Sequence, residues 1–331
     1  MAATRVLVVD DSLTMRAMIS GALERIPNVE IVGLANGADE ARRLTAQLKP
    51  DVMTLDVEMP GMSGMEYLAE VMATRPMPVI MFSSRTEAGA EISIEALRLG
   101  AIDCLPKPRV ASAAELDKII ANLAKRIKAA KGSTVVKTAP EPVPVASFAW
   151  NGRLIAIGGD TSSTKALFDL FGSFPVNGPP VLVVQHLTAG LVAAMVTKLD
   201  GKVPPRVLLA AEGMAVEPGH VYFAPQGDAH LVLDGWPAGK LRLLRRDLVA
   251  GERPSISLMF ASIARAAAGE AVGMLLAPES EDGGTGLRAL LAAGSYAVAP
   301  SGRSFTLSHK LIAQPLAGED ITRTVLKLCS L

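Results

Sequence analysis

Residues 154–167 read LIAIGGDTSSTKAL, and this stretch sets the fold class of the C-terminal half of the chain. Its apolar run, residues 154–157, has the length of a buried strand. Gly158 and Gly159 make a turn, and a short polar run then opens a helix at Thr164. A sharp turn between a strand and a helix presents one side chain and the first helical amides at the edge of an α/β sheet, where ligands and nucleophiles sit. A hydrolase places Ser at that apex; here the residue is Asp160.

Working outward, residues 181–185 form another apolar strand ending at His186. Residues 217–233, EPGHVYFAPQGDAHLVL, read as short antiparallel strands turned at Gly219 and Gly227. A loop leads into a helix near Ser255, residues 272–276 form a strand, and a helix follows over 285–293 after EDGGTG. The N-terminal part repeats the α/β pattern. Apolar runs at 6–9, 29–34, 52–55, 79–82 and 101–105 alternate with helical spacing at 14–26, 38–48, 65–73 and 90–99. Five such units predict a parallel sheet covered on both faces, with ligands at the carboxyl ends of its strands.

Those ends carry the chemistry. Asp10 and Asp11 follow the first strand, Asp56 the third, Ser83 the fourth and Lys107 the fifth. Three converging carboxylates repel one another unless a cation joins them, and hard oxygen ligands suit magnesium. A nearby Lys and hydroxyl would take the oxygens of a transferred phosphoryl group.

The 331 residues carry a formal net charge of +0, which disfavours non-specific binding to nucleic acid or anionic lipid. Two distant cysteines, Cys104 and Cys329, suggest neither a zinc site nor a disulfide framework. With no transmembrane span or secretory signal in view, the expectation is a cytoplasmic protein without membrane insertion and with no nucleic-acid partner. Residues 111–131 read as a helix ending in Lys125, Arg126, Lys128 and Lys131. The stretch up to residue 150, with Pro140, Pro142 and Pro144 in alternation, reads as a semi-extended linker.

VLVVDDS, LDVEMPGMSG, MFSS and PKP together resemble the receiver domain of bacterial response regulators. The resemblance implies a flavodoxin-like (βα)5 receiver over residues 1–130, with Asp56 as phosphoacceptor. It implies magnesium held by Asp11, Asp56 and the Glu58 carbonyl with Asp10 in support, and a phosphoryl group read by Ser83 and Lys107. A sensor histidine kinase would be the phosphoryl donor. Where that family has an aromatic switch residue, this chain has Cys104.

LIAIG, VVQHL, EPGHVYFAP, ERPSISLMF and EDGGTG, in that order, resemble the catalytic domain of the chemotaxis protein-glutamate methylesterases, the CheB family. The resemblance implies a doubly wound, mostly parallel α/β domain over residues 151–331, joined to the receiver by the Pro-rich linker at 131–150. Its chemistry would be hydrolysis of methyl esters, or deamidation of Gln, on chemoreceptor cytoplasmic tails. The family pattern at the turn is Gly-Ala-Ser-Thr-Gly-Gly-Thr. His186 matches its base and Asp282 its orienting acid, whereas Asp160 stands at the nucleophile position, and Ser162 and Ser163 replace two glycines. The oxyanion region, Thr161 and Glu279, is altered by the acidic Glu279.

Carboxylates at Asp160 and Glu279 bring negative charge towards the place where ester hydrolysis builds it. The favoured expectation is therefore a phosphorylation-controlled regulator with a catalytically impaired esterase domain. The alternative is an active methylesterase and deamidase, using Ser162 or Ser163. A further expectation weighs a cation site of Asp160, His186, Glu279 and Asp282 against a simple hydrogen bond from His186 to Asp160.

Overall fold

The computed structural model describes residues 3–83, 87–107, 123–124, 126–127, 148–187, 190–276, 281–300, 311–314 and 318–331. The chain divides into two compact units, Met1–Thr138 and Ala139–Leu331. No helix among the described residues is long and apolar enough to cross a membrane.

The first unit is an alternation of strands β1 (Thr4–Val9), β2 (Val29–Ala35), β3 (Val52–Asp56), β4 (Val79–Ser83) and β5 (Asp103–Pro106) with helices α1 (Leu13–Glu24), α2 (Ala38–Leu48), α3 (Gly64–Thr74) and α4 (Glu87–Leu99). All five expected strands form, in one parallel sheet of order β2-β1-β3-β4-β5. Strand β1, next to the central β3, feeds two cores. Val6 and Val8 pack with Ile19 and Leu23 of α1, while Leu7 and Val9 pack with Ala41 of α2 and Tyr67 and Leu68 of α3. An alternation buried on both faces is what a parallel sheet between two helical layers requires. Ser12 caps α1, and Ser63 with Glu66 forms a capping box on α3, so both helices start close to the carboxyl ends of the strands. Strand order reverses between β1 and β3, and the crevice at that switch lies between the ends carrying Asp10 and Asp56. Of the expected helix over 111–131, Leu123, Ala124, Arg126 and Ile127 are helical; the rest, and the linker up to residue 147, lie outside the described residues.

The second unit holds a seven-stranded sheet, with every neighbouring pair parallel. Its strands are β6 (Leu154–Asp160), β7 (Val181–His186), β8 (Arg206–Leu209), β9 (His220–Phe223), β12 (Ala271–Leu275), β13 (Tyr296–Pro300) and β14 (Leu311–Gln314), in the order β14-β13-β12-β6-β7-β9-β8. Helices α5 (Thr164–Gly172), α6 (Leu191–Asp200), α7 (Ile256–Ala266), α8 (Gly284–Ala292) and α9 (Gly318–Leu328) accompany it. The antiparallel reading of residues 217–233 holds in part. β10 (His230–Leu233) pairs antiparallel with β11 (Leu241–Leu244), but β9 lies parallel to β7 and β8 in the large sheet.

Leu154 and Ala156 of β6 share a core with Ile256, Met259 and Phe260 of α7 and Leu231 and Leu241 of the hairpin. The chain runs outward from β6 to β7 in one direction and from β12 to β14 in the other. The switch point therefore falls at the carboxyl end of β6, the turn at Asp160.

Candidate phosphorylation site and candidate active site

In the first unit the side chains of Asp10, Asp11 and Asp56 converge, each offering a carboxylate oxygen within 4.8 Å of the others. Asp10 and Asp56 are fully buried and Asp11 is exposed. Asp10 Oδ1 accepts the Ser12 amide at 2.9 Å, and its buried Oδ2 has no hydrogen-bond partner among the described residues. Asp56 Oδ1 accepts the Glu58 amide at 3.1 Å, which places the Glu58 backbone at the same rim. Lys107 Nζ lies 2.8 Å from Asp56 Oδ1 and 2.9 Å from Oδ2, and its amide donates to the Ser83 carbonyl at 2.8 Å. The structure thus brings Asp10, Asp11, Asp56, Glu58, Ser83 and Lys107 to one sheet edge.

The electrostatics follow from burial. Desolvation is the largest influence on Asp10 and, with Asp56 and Asp11 beside it, carries its pKa up to about 6 against the pull of the Ser12 amide and Lys107. Desolvation also raises Asp56, opposed by the Lys107 hydrogen bond and the Glu58 amide. For Lys107 burial acts downward but is outweighed by the hydrogen bond and charge of Asp56, so its pKa rises. Three carboxylates against the Lys107 ammonium and the Arg16 guanidinium, which donates to the Asp10 and Asp11 carbonyls, leave net negative charge, and among the described residues Asp10 Oδ2 lacks a partner. This oxygen-rich donor set fits a hard divalent cation such as magnesium.

Gly64 is a further residue that the site depends on. A Cβ there would lie 1.8 Å from the Asp56 carbonyl oxygen, so α3 reaches the end of β3 only because this residue has no side chain. Its spacing after Asp56 in LDVEMPGMSG was the available signal.

In the second unit Asp160 ends β6 and is the register partner of His186 at the end of β7. Asp160 caps the 3-10 turn Thr161–Ser163 that leads into α5. Its Oδ1 accepts the Ser162 amide at 2.9 Å and the Ser162 hydroxyl at 2.6 Å. Among the described residues no hydrogen bond joins Asp160 to His186, so that expectation is corrected: the neighbouring Ser162 donors, two residues along, take the carboxylate. Ser163 Oγ accepts the Asp160 amide at 3.1 Å, donates to the Asp160 carbonyl at 2.7 Å and is buried with Gln185. A Cβ at Gly159 would sit 2.2 Å from Gln185 Oε1 and 2.4 Å from Ser163 Oγ, so the turn has no spare room.

His186 Nε2 lies 3.0 Å from the Pro254 carbonyl. A carbonyl can only accept, so Nε2 is the donor in this contact. Asp282 Oδ2 is 3.6 Å from the same Nε2. Asp282 is buried and saturated with donors. Oδ1 takes the Ser255 hydroxyl and the amides of Ser257 and Gly283, at 3.1, 2.9 and 2.8 Å, and Oδ2 takes the Ile256 amide at 2.6 Å. It holds the start of α7 as well as facing the imidazole. His230 supports the same corner, with Nδ1 accepting the Ser255 amide at 3.1 Å. Thr161 is buried in the 3-10 turn, and Glu279 lies outside the described residues. The structure therefore gathers Asp160, Thr161, His186 and Asp282 at the switch point. Among the described residues the acidic group with metal-ligand spacing is Asp10, Asp11 and Asp56, not a cluster around Asp160.

The chain matches the response regulator receiver domain family over residues 6–121 and the CheB methylesterase family over residues 155–309. It is similar to protein-glutamate methylesterase/protein-glutamine glutaminase 1 of Caulobacter vibrioides, 41% identical over 300 residues, covering 89% of this chain and 87% of that protein. The protein-glutamate methylesterase/protein-glutamine glutaminase of Agrobacterium fabrum is 41% identical over 306 residues, covering 90% and 86% respectively. Among solved structures, the response regulator domain of Thermotoga maritima CheB is 41% identical, covers 40% of this chain and 98% of that chain, and aligns with a TM-score of 0.37. With a receiver fold, a methylesterase-type fold and relatives alike over nearly the whole length, the chain belongs to the CheB-type protein-glutamate methylesterase family that carries a receiver domain.

Proposed function

We propose that this chain is a phosphorylation-controlled chemotaxis regulator of the cytoplasm whose methylesterase domain is impaired in hydrolysis. Residues 1–130 form the receiver, 131–150 the linker and 151–331 the esterase-like domain. The observation that carries the reading is the Asp160 carboxylate at the nucleophile position, held by Ser162 as a helix cap.

In the receiver, a phosphohistidine of a sensor histidine kinase is the donor. An Asp56 oxygen attacks phosphorus, the P–N bond breaks, and its electron pair leaves with the imidazole. Lys107, already on Asp56, and the Ser83 hydroxyl take the phosphoryl oxygens. Asp10, Asp11, Asp56 and the Glu58 carbonyl would hold magnesium, which supplies positive charge to neutralise those oxygens.

In the second domain a Ser at position 160 would add to the ester carbon, pass its proton to His186 and expel methanol. Asp160 has no proton to pass. Attack by its carboxylate would form an anhydride while expelling a far more basic methoxide. Losing one oxyanion donor costs about 3–4 kcal/mol, and acidic side chains at 160 and 279 act in the same direction. The domain on this reading still binds chemoreceptor cytoplasmic tails.

A second reading is favoured by the names of the relatives and by Ser162, whose exposed hydroxyl lies 2.6 Å from Asp160 Oδ1. In it the chain is an active methylesterase and glutamine deamidase with Ser162 as nucleophile, and Ser162→Ala abolishes turnover.

Asp160→Ser tests the first reading, because Ser is also a good cap at this turn. A working triad is worth roughly 10⁶ in rate, and the altered oxyanion region would take back roughly 10³. Methanol release from methylated receptor tails should therefore rise about a thousandfold. An unchanged rate in a folded Asp160→Ser protein would contradict impairment at this position.

A further inference from the structure

The Ser83 hydroxyl is engaged in a buried network that none of the site readings above uses. Its Oγ lies 3.1 Å from Ser93 Oγ on α4, and both side chains are about 5% exposed. Ser93 Oγ also lies 2.6 Å from the Gly89 carbonyl one turn earlier in the helix. A serine hydroxyl has one proton, and a carbonyl can only accept. The shorter bond therefore takes the Ser93 proton, and in the contact between the two serines Ser83 is the donor. The third member is Cys104, buried on β5 beside both hydroxyls, and burial is the largest cause that raises its thiol pKa.

We propose that Ser93 is a positioning residue for phosphoryl capture. It holds the Ser83 proton in the unphosphorylated protein and competes for it with the phosphoryl oxygen on Asp56. Once Ser83 donates to the phosphoryl group, its bond to Ser93 is broken and β4 is uncoupled from the N-terminal half of α4. Phosphorylation is thereby read as release of a helix through a Ser83–Ser93–Cys104 contact that contains no aromatic ring. The inference rests on Asp56 as the phosphoacceptor.

A net hydrogen bond of about 1 kcal/mol corresponds to about fivefold in affinity. The probe is beryllium fluoride with magnesium, a phosphoryl mimic, titrated calorimetrically into the full chain. Ser93→Ala should bind it about fivefold more tightly than the wild type, and Ser93→Thr, which keeps the hydroxyl, should bind like the wild type. Ser93→Cys, whose sulfur is a poorer acceptor, should fall between them and serves if the alanine variant does not fold. In a Ser83→Ala background the Ser93→Ala effect should vanish. Amide exchange over α4 should quicken in the wild type on adding beryllium fluoride, and be fast beforehand in Ser93→Ala. A change below twofold, or an equal change with and without Ser83, would overturn the coupling while leaving Asp56 as phosphoacceptor intact. A wild-type protein that fails to bind beryllium fluoride would overturn both.

Discussion

Asp10→Asn should stabilise the metal-free receiver at neutral pH, although it removes a residue expected to support magnesium. Asp10 is fully buried, one of its oxygens has no partner among the described residues, and Asp56 and Asp11 lie beside it. Burial, the largest cause, raises its pKa from 3.8 to about 6. A folded-state value above the unfolded one means that the native protein binds the extra proton. The stabilisation is then full below about pH 4 and is lost as pH rises through about 6. At 1.36 kcal/mol per unit, the loss at pH 7 is at most about 3 kcal/mol, and relaxation of the rim reduces it.

Asn carries no charge and avoids that loss. The assay is denaturant-dependent amide exchange of peptides from β1 and β3 in the full chain, with EDTA, from pH 4 to 8. The stability difference between Asp10→Asn and wild type should be small at pH 4, grow through pH 6 and level off at about 1–3 kcal/mol. Saturating magnesium should shrink or reverse it, because only the wild type gains the full binding energy. A variant less stable than wild type at pH 7 in EDTA, or a difference independent of pH, would refute the reasoning.

Gly64→Ala should destabilise the receiver by about 2 kcal/mol or more. The new Cβ would sit 1.8 Å from the Asp56 carbonyl oxygen, and the forced retreat of α3 should slow phosphorylation by an acyl phosphate in the same preparation. Asp282→Asn should lower the stability of the second unit by about 1–3 kcal/mol, seen as faster amide exchange at the start of α7. An amide has one accepting oxygen, whereas the carboxylate takes Ile256 N–H on one oxygen and three donors on the other.

The receiver was legible from sequence because each chemical residue stands at the end of a short apolar run, and a parallel sheet brings such ends together. Asp10, Asp11, Asp56, Ser83 and Lys107 accordingly fall on one rim. The placement of β9 was not legible. The four residues of β9 lie between the glycine turns at 219 and 227 and look like half of a hairpin, and the parallel partner β7 lies far away in sequence. The direction of the Asp160 carboxylate was half legible. Asp followed two residues later by Ser is a capping pattern, but the same residue stands at a nucleophile position, which would pair it with His186 instead. Two contacts had no sequence signal. The Pro254 carbonyl that orients His186 is a backbone group 68 residues away, and Ser93 is one hydroxyl in the middle of a helix.

The most direct measurement is methanol release by the wild-type chain from methylated chemoreceptor tails, with and without an acyl phosphate, using His186→Ala as the blank. Impairment at Asp160 predicts no release above the blank in either condition. Release that depends on His186 and rises with phosphorylation would contradict it and make this chain a working methylesterase.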